Sequence, residues 1–395
     1  MERVLLFGAG KIGSAICKFL SHTGDYEIVV ADVSEAALAR LAEVPHTTVR
    51  VVDVDHGPAV EEAMQGCRAV ISALTYTHNP RVARAALAAG ASYFDLTEDV
   101  RTTREVMELA AGAGSAQIFM PQCGLAPGFV SIVANDLAHR LDEVETIKMR
   151  VGALPLYPSN SFKYNLTWST DGLINEYCNP CEAIHDGTYT EVLALEGHEQ
   201  LSIDGVGYEA FNTSGGLGTL CDTFRGRVQD LNYKTVRYPG HRDLVDFLVN
   251  ELKLRDRREV LRDILENAVA MTLQDVVIVF CTVAGRRRGR LHQITDARKI
   301  YHSNVAGEMW SAIQITTAAG VCAAVDLHLA GRLAGRGFVR QEEIALDAFL
   351  ANRFGQFYAI DNPTEVTVRP VQGDVGSSWQ TLSRVEPDDQ AGKPS

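Results

Sequence analysis

No stretch of this 395-residue chain approaches the roughly 18 uninterrupted apolar residues that a membrane-crossing helix needs. The N-terminal region also lacks the apolar core and small-residue cleavage site of a secretory signal, so a cytoplasmic location is expected. Basic residues are outnumbered, 37 Lys and Arg against 50 Asp and Glu, for a net charge of −13. That deficit argues against a nucleic-acid partner, whose phosphates need basic surface. The one basic run, Arg286-Arg287-Arg288-Gly289-Arg290, reads as a solvated turn between two strands. The eight cysteines are scattered and form no disulfide framework. Cys178 and Cys181 have CxxC spacing, but no second ligand pair accompanies them, so no metal is expected. No GxSxG elbow and no Walker lysine motif is present, which sets aside serine-hydrolase and P-loop kinase readings.

What is present begins at residue 4. Val4-Leu5-Leu6-Phe7 reads as a short buried strand. Gly8-Ala9-Gly10-Lys11-Ile12-Gly13 follows it, then a helical face of Ile12, Ala15, Ile16, Phe19 and Leu20. A second apolar run, Ile28-Val29-Val30-Ala31, ends in Asp32. This is the order of a dinucleotide fingerprint: a tight turn at Gly8, close approach to a pyrophosphate at Gly10, and close helix–strand packing at Gly13. The helix N-terminus offers free N–H groups and a positive dipole end to phosphate. Gly8, Gly10, Lys11, Ile12, Gly13 and Asp32 are therefore expected to bind cofactor. A carboxylate at Asp32 would accept from ribose hydroxyls and repel a 2′-phosphate. NAD is thus expected over NADP, with no arginine after Asp32 until Arg40. Helix capping is the other role open to Asp32, and Ser34 is better placed for it.

Strands and helices alternate to about residue 124, with further strands near 49–52, 69–72, 92–95 and 117–120. This predicts an α/β fold opening on a Rossmann-type, doubly wound parallel sheet. From about 125 to 304 the intervals lengthen. The runs 145–152, 190–195, 201–203, 208–212, 227–231, 234–238 and 275–284 read as strands of a mixed, largely antiparallel sheet in an α+β catalytic domain. A helix over about 241–250 lies among them. Residues 305–360 form a third segment, whose alanine-rich helix near 311–333 is expected to pack back on the first domain. Residues 374–395 are polar and expected to be disordered.

Three stretches resemble the saccharopine dehydrogenase superfamily. They are Pro121-Gln122-Cys123-Gly124-Leu125-Ala126-Pro127-Gly128-Phe129, Trp168-Ser169-Thr170-Asp171-Gly172-Leu173-Ile174, and Tyr233-Lys234-Thr235-Val236-Arg237-Tyr238-Pro239-Gly240-His241. The last is similar to the lysine 6-dehydrogenase branch. The resemblance spans roughly residues 1–360. It implies a two-domain NAD(P)-dependent oxidoreductase acting on a carbon–nitrogen bond, here oxidative deamination of the lysine side-chain amine. The chain has no aspartate immediately before Pro127, where the saccharopine-reducing branch more often carries one. Two alternatives stay open: a saccharopine-type or opine-type enzyme that joins or cleaves a secondary amine, and a non-catalytic NAD-binding sensor. The resemblance further implies a homodimer or larger homo-oligomer and a small amino-acid substrate.

Such chemistry needs a neutral amine and hence a general base, and deamination also needs an activated water. Asp95 and Glu98 end the fifth predicted strand, at the cofactor edge; a helix-capping cluster is the other reading of this segment. Lys234, Arg237 and His241 form a second group. If 234–238 is a strand, Thr235 and Arg237 share one face and Lys234 and Tyr238 the other. Arg237 suits a substrate carboxylate, and His241 at a helix start would stay neutral and able to accept a proton. A third group is Trp168, Ser169, Asp171 and Glu176, where an aromatic beside acids can wall an amine pocket. The expected catalytic residues are His241, Asp95 and Lys234, with Arg237, Trp168, Glu98 and Asp171 on the substrate. Ser72, Leu74 and Cys123 are expected near the nicotinamide ribose.

Overall fold

The computed structural model describes residues 1–359, except Thr167 and Ala334, and the backbone of residues 365–366. The tail expected to be disordered, 374–395, lies outside the described residues.

The first sheet has seven parallel strands, the late Gly337–Phe338 beside six from the first domain: β1 (Glu2–Phe7), β2 (Tyr26–Asp32), β3 (Thr47–Val51), β4 (Ala69–Ser72), β5 (Ser92–Asp95) and β6 (Ile118–Met120). Those six lie in the order 6-5-4-1-2-3. The central strands are apolar throughout because helices cover both faces of the sheet. Val4, Leu5, Leu6 and Phe7 are accordingly buried. β1 pairs with β2 on one side, Val4 opposite Ile28, and with β4 on the other, Val4 opposite Ala69. The strand order reverses between β1 and β4. Ligands bind at such a switch point, beyond the carboxyl ends of the strands.

The second sheet contains β7 (Glu143–Pro155), β8 (Cys181–His185), β9 (Thr188–Val192), β10 (Glu199–Ile203), β11 (Val206–Asn212), β12 (Asp230–Arg237), β13 (Asp275–Arg287) and β14 (Arg290–Tyr301). Its main path runs β10-β11-β12-β7-β13-β14, with β8 beside β12 and β9 beside β8. Only β12 with β7 is parallel among these pairings; the others are antiparallel. The sheet is therefore mixed and largely antiparallel.

Several boundaries differ from the sequence expectation. The runs expected at 227–231 and 234–238 are one strand, β12. β8 and the helix Arg258–Ala268 emerge where no element was expected, and the second strand beside the basic turn, given no bounds from the sequence, is β14. The helix expected over 241–250 is a short α-helix, His241–Asp246, followed by a π-helical turn, Phe247–Glu251.

The helix Ala312–Leu329 packs against the first-domain helix Lys11–His22 and against β13. By length and composition it is apolar enough to cross a membrane, with a mean hydropathy of 1.4, yet 78% of it is buried inside the protein. Ser311 and Gln314 close its N-terminus in a reciprocal capping box. The β13 carboxylate of Asp275 also accepts from Ala312 N and Ile313 N.

Candidate functional site

The two sheets meet around a cleft of about 1070 Å3, including its open mouth. The first domain contributes Ile12 from the fingerprint, Ala73 to Tyr76 after β4, and Leu96 to Glu98 after β5. The crossover adds Gly124 to Pro127. The second sheet adds Val151, Ala153, Tyr233, Thr235 and Arg237; the Trp168–Glu176 stretch and the long helix close the rest.

The fingerprint loop has the shape a dinucleotide pyrophosphate requires. Gly8 adopts φ +102, and a Cβ on Gly13 would stand 1.9 Å from the Gly8 carbonyl oxygen. A Cβ on Gly10 would meet nothing within 4 Å, so its backbone faces open space. Lys11 is exposed beside it, and Ile12 reaches the cleft. Asp32 ends β2 as expected, but its carboxylate is engaged by the main chain: Ala9 N donates at 2.6 Å and Ser34 N at 2.8 Å. Ser34 caps the next helix, accepting from Ala37 N. Arg40 folds back and donates to the Ala9 carbonyl at 3.4 Å, so an arginine does stand at the ribose end of this loop.

Two carboxyl groups face the cleft with strongly raised pKa values. Burial pushes Glu98 up to about 7, against hydrogen bonds from its own backbone and from Asn175 Nδ2. Burial likewise pushes Glu176 to about 7, with the Arg237 guanidinium opposing it and the charge of Glu98 reinforcing it. Among the described residues Glu176 Oε2 has no hydrogen-bond partner; it lies 3.6 Å from Arg237 Nη2. Burial alone would drag Arg237 down, but Tyr177, Tyr164 and Glu176 outweigh it and hold the guanidinium charged. Arg237 and Thr235 share the cleft-facing side of β12 with Tyr233, as strand alternation requires.

Trp168 and Asp171 also line the cleft. Trp168 Nε1 donates to Tyr164 Oη at 3.1 Å, and Asp171 pairs with Arg262 at 3.2 Å. Leu74 lines the wall. Ser72 is buried behind it, donating to Asn79 Oδ1 at 2.7 Å. Asp95, Cys123, Lys234 and His241 also lie outside the cleft lining. Asp95 is fully buried and accepts from Tyr93 Oη, Thr97 N and Gln122 N at 2.7 to 2.9 Å, which ties the strand end to the crossover. Cys123 is buried, with its thiol pushed well up by burial and Gln341 Nε2 against its sulfur. Lys234 points to the opposite face of β12, bound to Glu199 Oε2 and the Gly197 carbonyl. His241 is fully buried behind Tyr177. Cys178 and Cys181 are buried free thiols, and among the described residues no cluster of three or more potential metal ligands occurs.

Two family models together match nearly the whole described chain: the saccharopine dehydrogenase NADP binding domain over residues 4–120, and the saccharopine dehydrogenase C-terminal domain over 124–354. The Schizosaccharomyces pombe saccharopine dehydrogenase [NADP(+), L-glutamate-forming] is 25% identical over 199 residues, covering 49% of this chain and 44% of that protein. The Pyricularia oryzae protein of the same name is 27% identical over 206 residues, with the same coverage. The chain thus spans less than half the length of these curated relatives. Among solved structures, apo saccharopine dehydrogenase (L-Glu forming) from Saccharomyces cerevisiae superposes with a TM-score of 0.71 at 17% identity. That match covers 87% of this chain and 94% of the other, a likeness of fold. The expected preference for NAD over NADP is overturned by these findings: the family model is an NADP-binding domain and the curated relatives are NADP+ enzymes by name. Two features of the loop remove the argument that supported it, since Asp32 is tied to backbone N–H groups and Arg40 reaches the loop.

Proposed function

The chain belongs to the saccharopine dehydrogenase family, and from that premise we propose that it is a nicotinamide-dependent oxidoreductase of an amino-acid carbon–nitrogen bond. The observation that carries this is the cleft itself. It sets two carboxyl groups of near-neutral pKa and one buried arginine against the dinucleotide edge of the first sheet. The Gly8–Gly13 loop would hold the pyrophosphate, and the nicotinamide, when bound, supplies the two-electron redox chemistry. The protein's own part is protonic and electrostatic. Glu98 or Glu176, once ionised, accepts a proton from the substrate ammonium, and a pKa near 7 suits that task at neutral pH. Arg237 offers its planar fork to a substrate carboxylate. Trp168 and Tyr233 wall the aliphatic portion.

The family relatives support a saccharopine-type reaction, in which a secondary amine is cleaved or formed. One observation favours the second reading, deamination of a lysine-like side-chain amine. Among the described residues lining the cleft, Arg237 is the only cationic side chain, and Glu176 already shares it. A substrate built from lysine and glutamate skeletons brings several carboxylates to a wall that also carries Glu98 and Asp171.

The test is reduction of NADP+ and NAD+ with a panel of amines including saccharopine and L-lysine, followed by nicotinamide absorbance. Turnover of saccharopine, or reverse turnover only with a keto acid supplied, supports the secondary-amine reaction. Turnover of L-lysine with release of ammonia supports deamination. Tight dinucleotide binding with no turnover of any amine would leave a binding protein and overturn both.

A further inference from the structure

His241 does not reach the cleft, yet it is wired to the one cation that does among the described residues. The residue opens a helix directly after β12, where Gly240 turns the chain at φ +94. Its ring is fully buried and packs at 4.3 Å from the Phe162 ring and 5.3 Å from Tyr164. Nδ1 stands 2.8 Å from the Phe162 carbonyl oxygen, and a carbonyl can only accept, so Nδ1 carries the proton. Burial, with Arg237 nearby, pulls the imidazole pKa down to about 3. The ring is therefore neutral and Nε2 is a bare acceptor. Tyr177 Oη lies 2.9 Å from Nε2 and must donate to it. The hydroxyl's lone pairs are then left for Arg237, whose Nε–H donates to Tyr177 Oη at 3.2 Å. Arg237 Nη1 is used up on the Val236 carbonyl and Thr235 Oγ1. The end that remains, Nη2, points at Glu176 Oε2.

We propose that His241 is a positioning residue: it fixes the direction of the Tyr177 hydroxyl, which aims the Arg237 guanidinium at Glu176 and at the substrate. The order of donation is His241 Nδ1–H to Phe162, Tyr177 O–H to His241, and Arg237 Nε–H to Tyr177. The Tyr177 proton is committed to His241 and is not available as an acid toward substrate. The assignment rests on the proposed use of Arg237 in its catalytic consequence, but the hydrogen-bond order stands apart from any turnover.

Two sets of measurements separate those parts. In the full-length chain with labelled histidine, the His241 nitrogen shifts should show the Nδ1–H tautomer and no titration between about pH 5 and 8. An Nε2–H tautomer, or an imidazolium forming in that range, overturns the proposal. The Arg237 Nε–H should exchange with solvent about tenfold faster, or more, in Tyr177→Phe and His241→Phe than in the unaltered protein. Unchanged exchange in folded variants overturns it, whether or not any amine is turned over. Where an amine is turned over, His241→Phe should raise its KM about tenfold with little change in dinucleotide affinity. It should also move the acid limb of the rate profile to higher pH, because a misaimed Arg237 no longer favours ionised Glu176. The groups facing Glu176 are Arg237, Glu98, Tyr164, Tyr177, Tyr233 and Cys181; those facing His241 are Tyr177, Tyr164 and Arg237. His241→Gln, which restores an acceptor for Tyr177, should bring the limb back toward its original position. A limb and a KM that both stay fixed in His241→Phe would leave the histidine a packing residue.

Discussion

Glu98 and Glu176 are held near neutrality by the same cause, loss of water around a carboxylate, and each therefore couples protonation to both catalysis and folding. In the proposed role as base the ionised form is required, so kcat/KM should rise with pH through about 7. Glu98→Gln or Glu176→Gln should lower it, the residue that acts as base losing about 100-fold or more. A pH–rate profile with no limb near neutrality in the unaltered enzyme would count against both. For folding the sign is opposite. A carboxyl group whose folded pKa is raised stabilises the fold below its unfolded value and loses that contribution as pH climbs to the folded value. Glu98→Gln should thus gain stability relative to the unaltered protein as pH rises from about 4.5 to about 7, read as the difference in urea midpoints. Glu98 was visible in the sequence because it follows a predicted strand at the cofactor edge, and Arg237 because alternation in the 234–238 run set it on one face with Thr235. Strand parity already placed Lys234 away from Arg237, and the structure keeps it there, on Glu199. The position of His241 was not legible. It depends on how the chain turns at Gly240, a tertiary choice that spacing does not encode.

At the scale of elements, the long helix Ala312–Leu329 sets the floor of the cleft through one close approach. Gly320 lies so near the crossover that a Cβ there would stand 2.6 Å from the Cys123 carbonyl oxygen and 2.9 Å from that of Gly124. Backbone cannot yield as a side-chain tip can, so Gly320→Ala must displace the helix or the crossover. The expected cost is about 1–3 kcal/mol in urea unfolding, together with weakened dinucleotide binding, since Gly124 lines the cleft. A variant as stable as its parent would mean that the two segments have slack. The helix itself was plain in the sequence from its apolar length. β14 was not, because its Arg-Leu-His-Gln-Ile-Thr-Asp-Ala-Arg-Lys-Ile-Tyr run belongs to an edge strand. Only Arg298 and Ile300 are buried along it, and so little apolar alternation shows. The Arg258–Ala268 helix was missed for a related reason, its buried stripe being only Leu261 and Leu265. β12 was read as two strands, although Asn232 keeps its alternation on the side of Asp230 and Lys234, where its side chain accepts from Arg150 at 2.9 Å.

Across the whole molecule the two sheets share a core, beside smaller clusters that each keeps to itself. One continuous apolar cluster runs from Val4 and Ile28 of the first sheet, through Ile315 and Val325 of the long helix, to Met149 and Val279 of the second. Late chain segments also complete the first domain. The short strand Gly337–Phe338 pairs with β6, and the buried Arg353 joins Asp25 and Asp326. Neither family-model region can then unfold without exposing surface that the other buries. The chain should lose structure in a single cooperative step despite its two sheets. Its eight cysteines, all buried and unpaired, supply probes throughout the fold. Under urea, Cys17 and Cys67 in the first domain and Cys281 in the second sheet should become reactive to a thiol reagent at one common midpoint. Saturating dinucleotide, whose fingerprint loop lies in the first domain, should move all three together, by about 2.7 kcal/mol at a hundred times its Kd. Labelling of Cys281 at a urea concentration that leaves Cys17 protected would show instead that the long helix belongs energetically to the first domain alone. The cleft between the sheets would then be free to open without global unfolding.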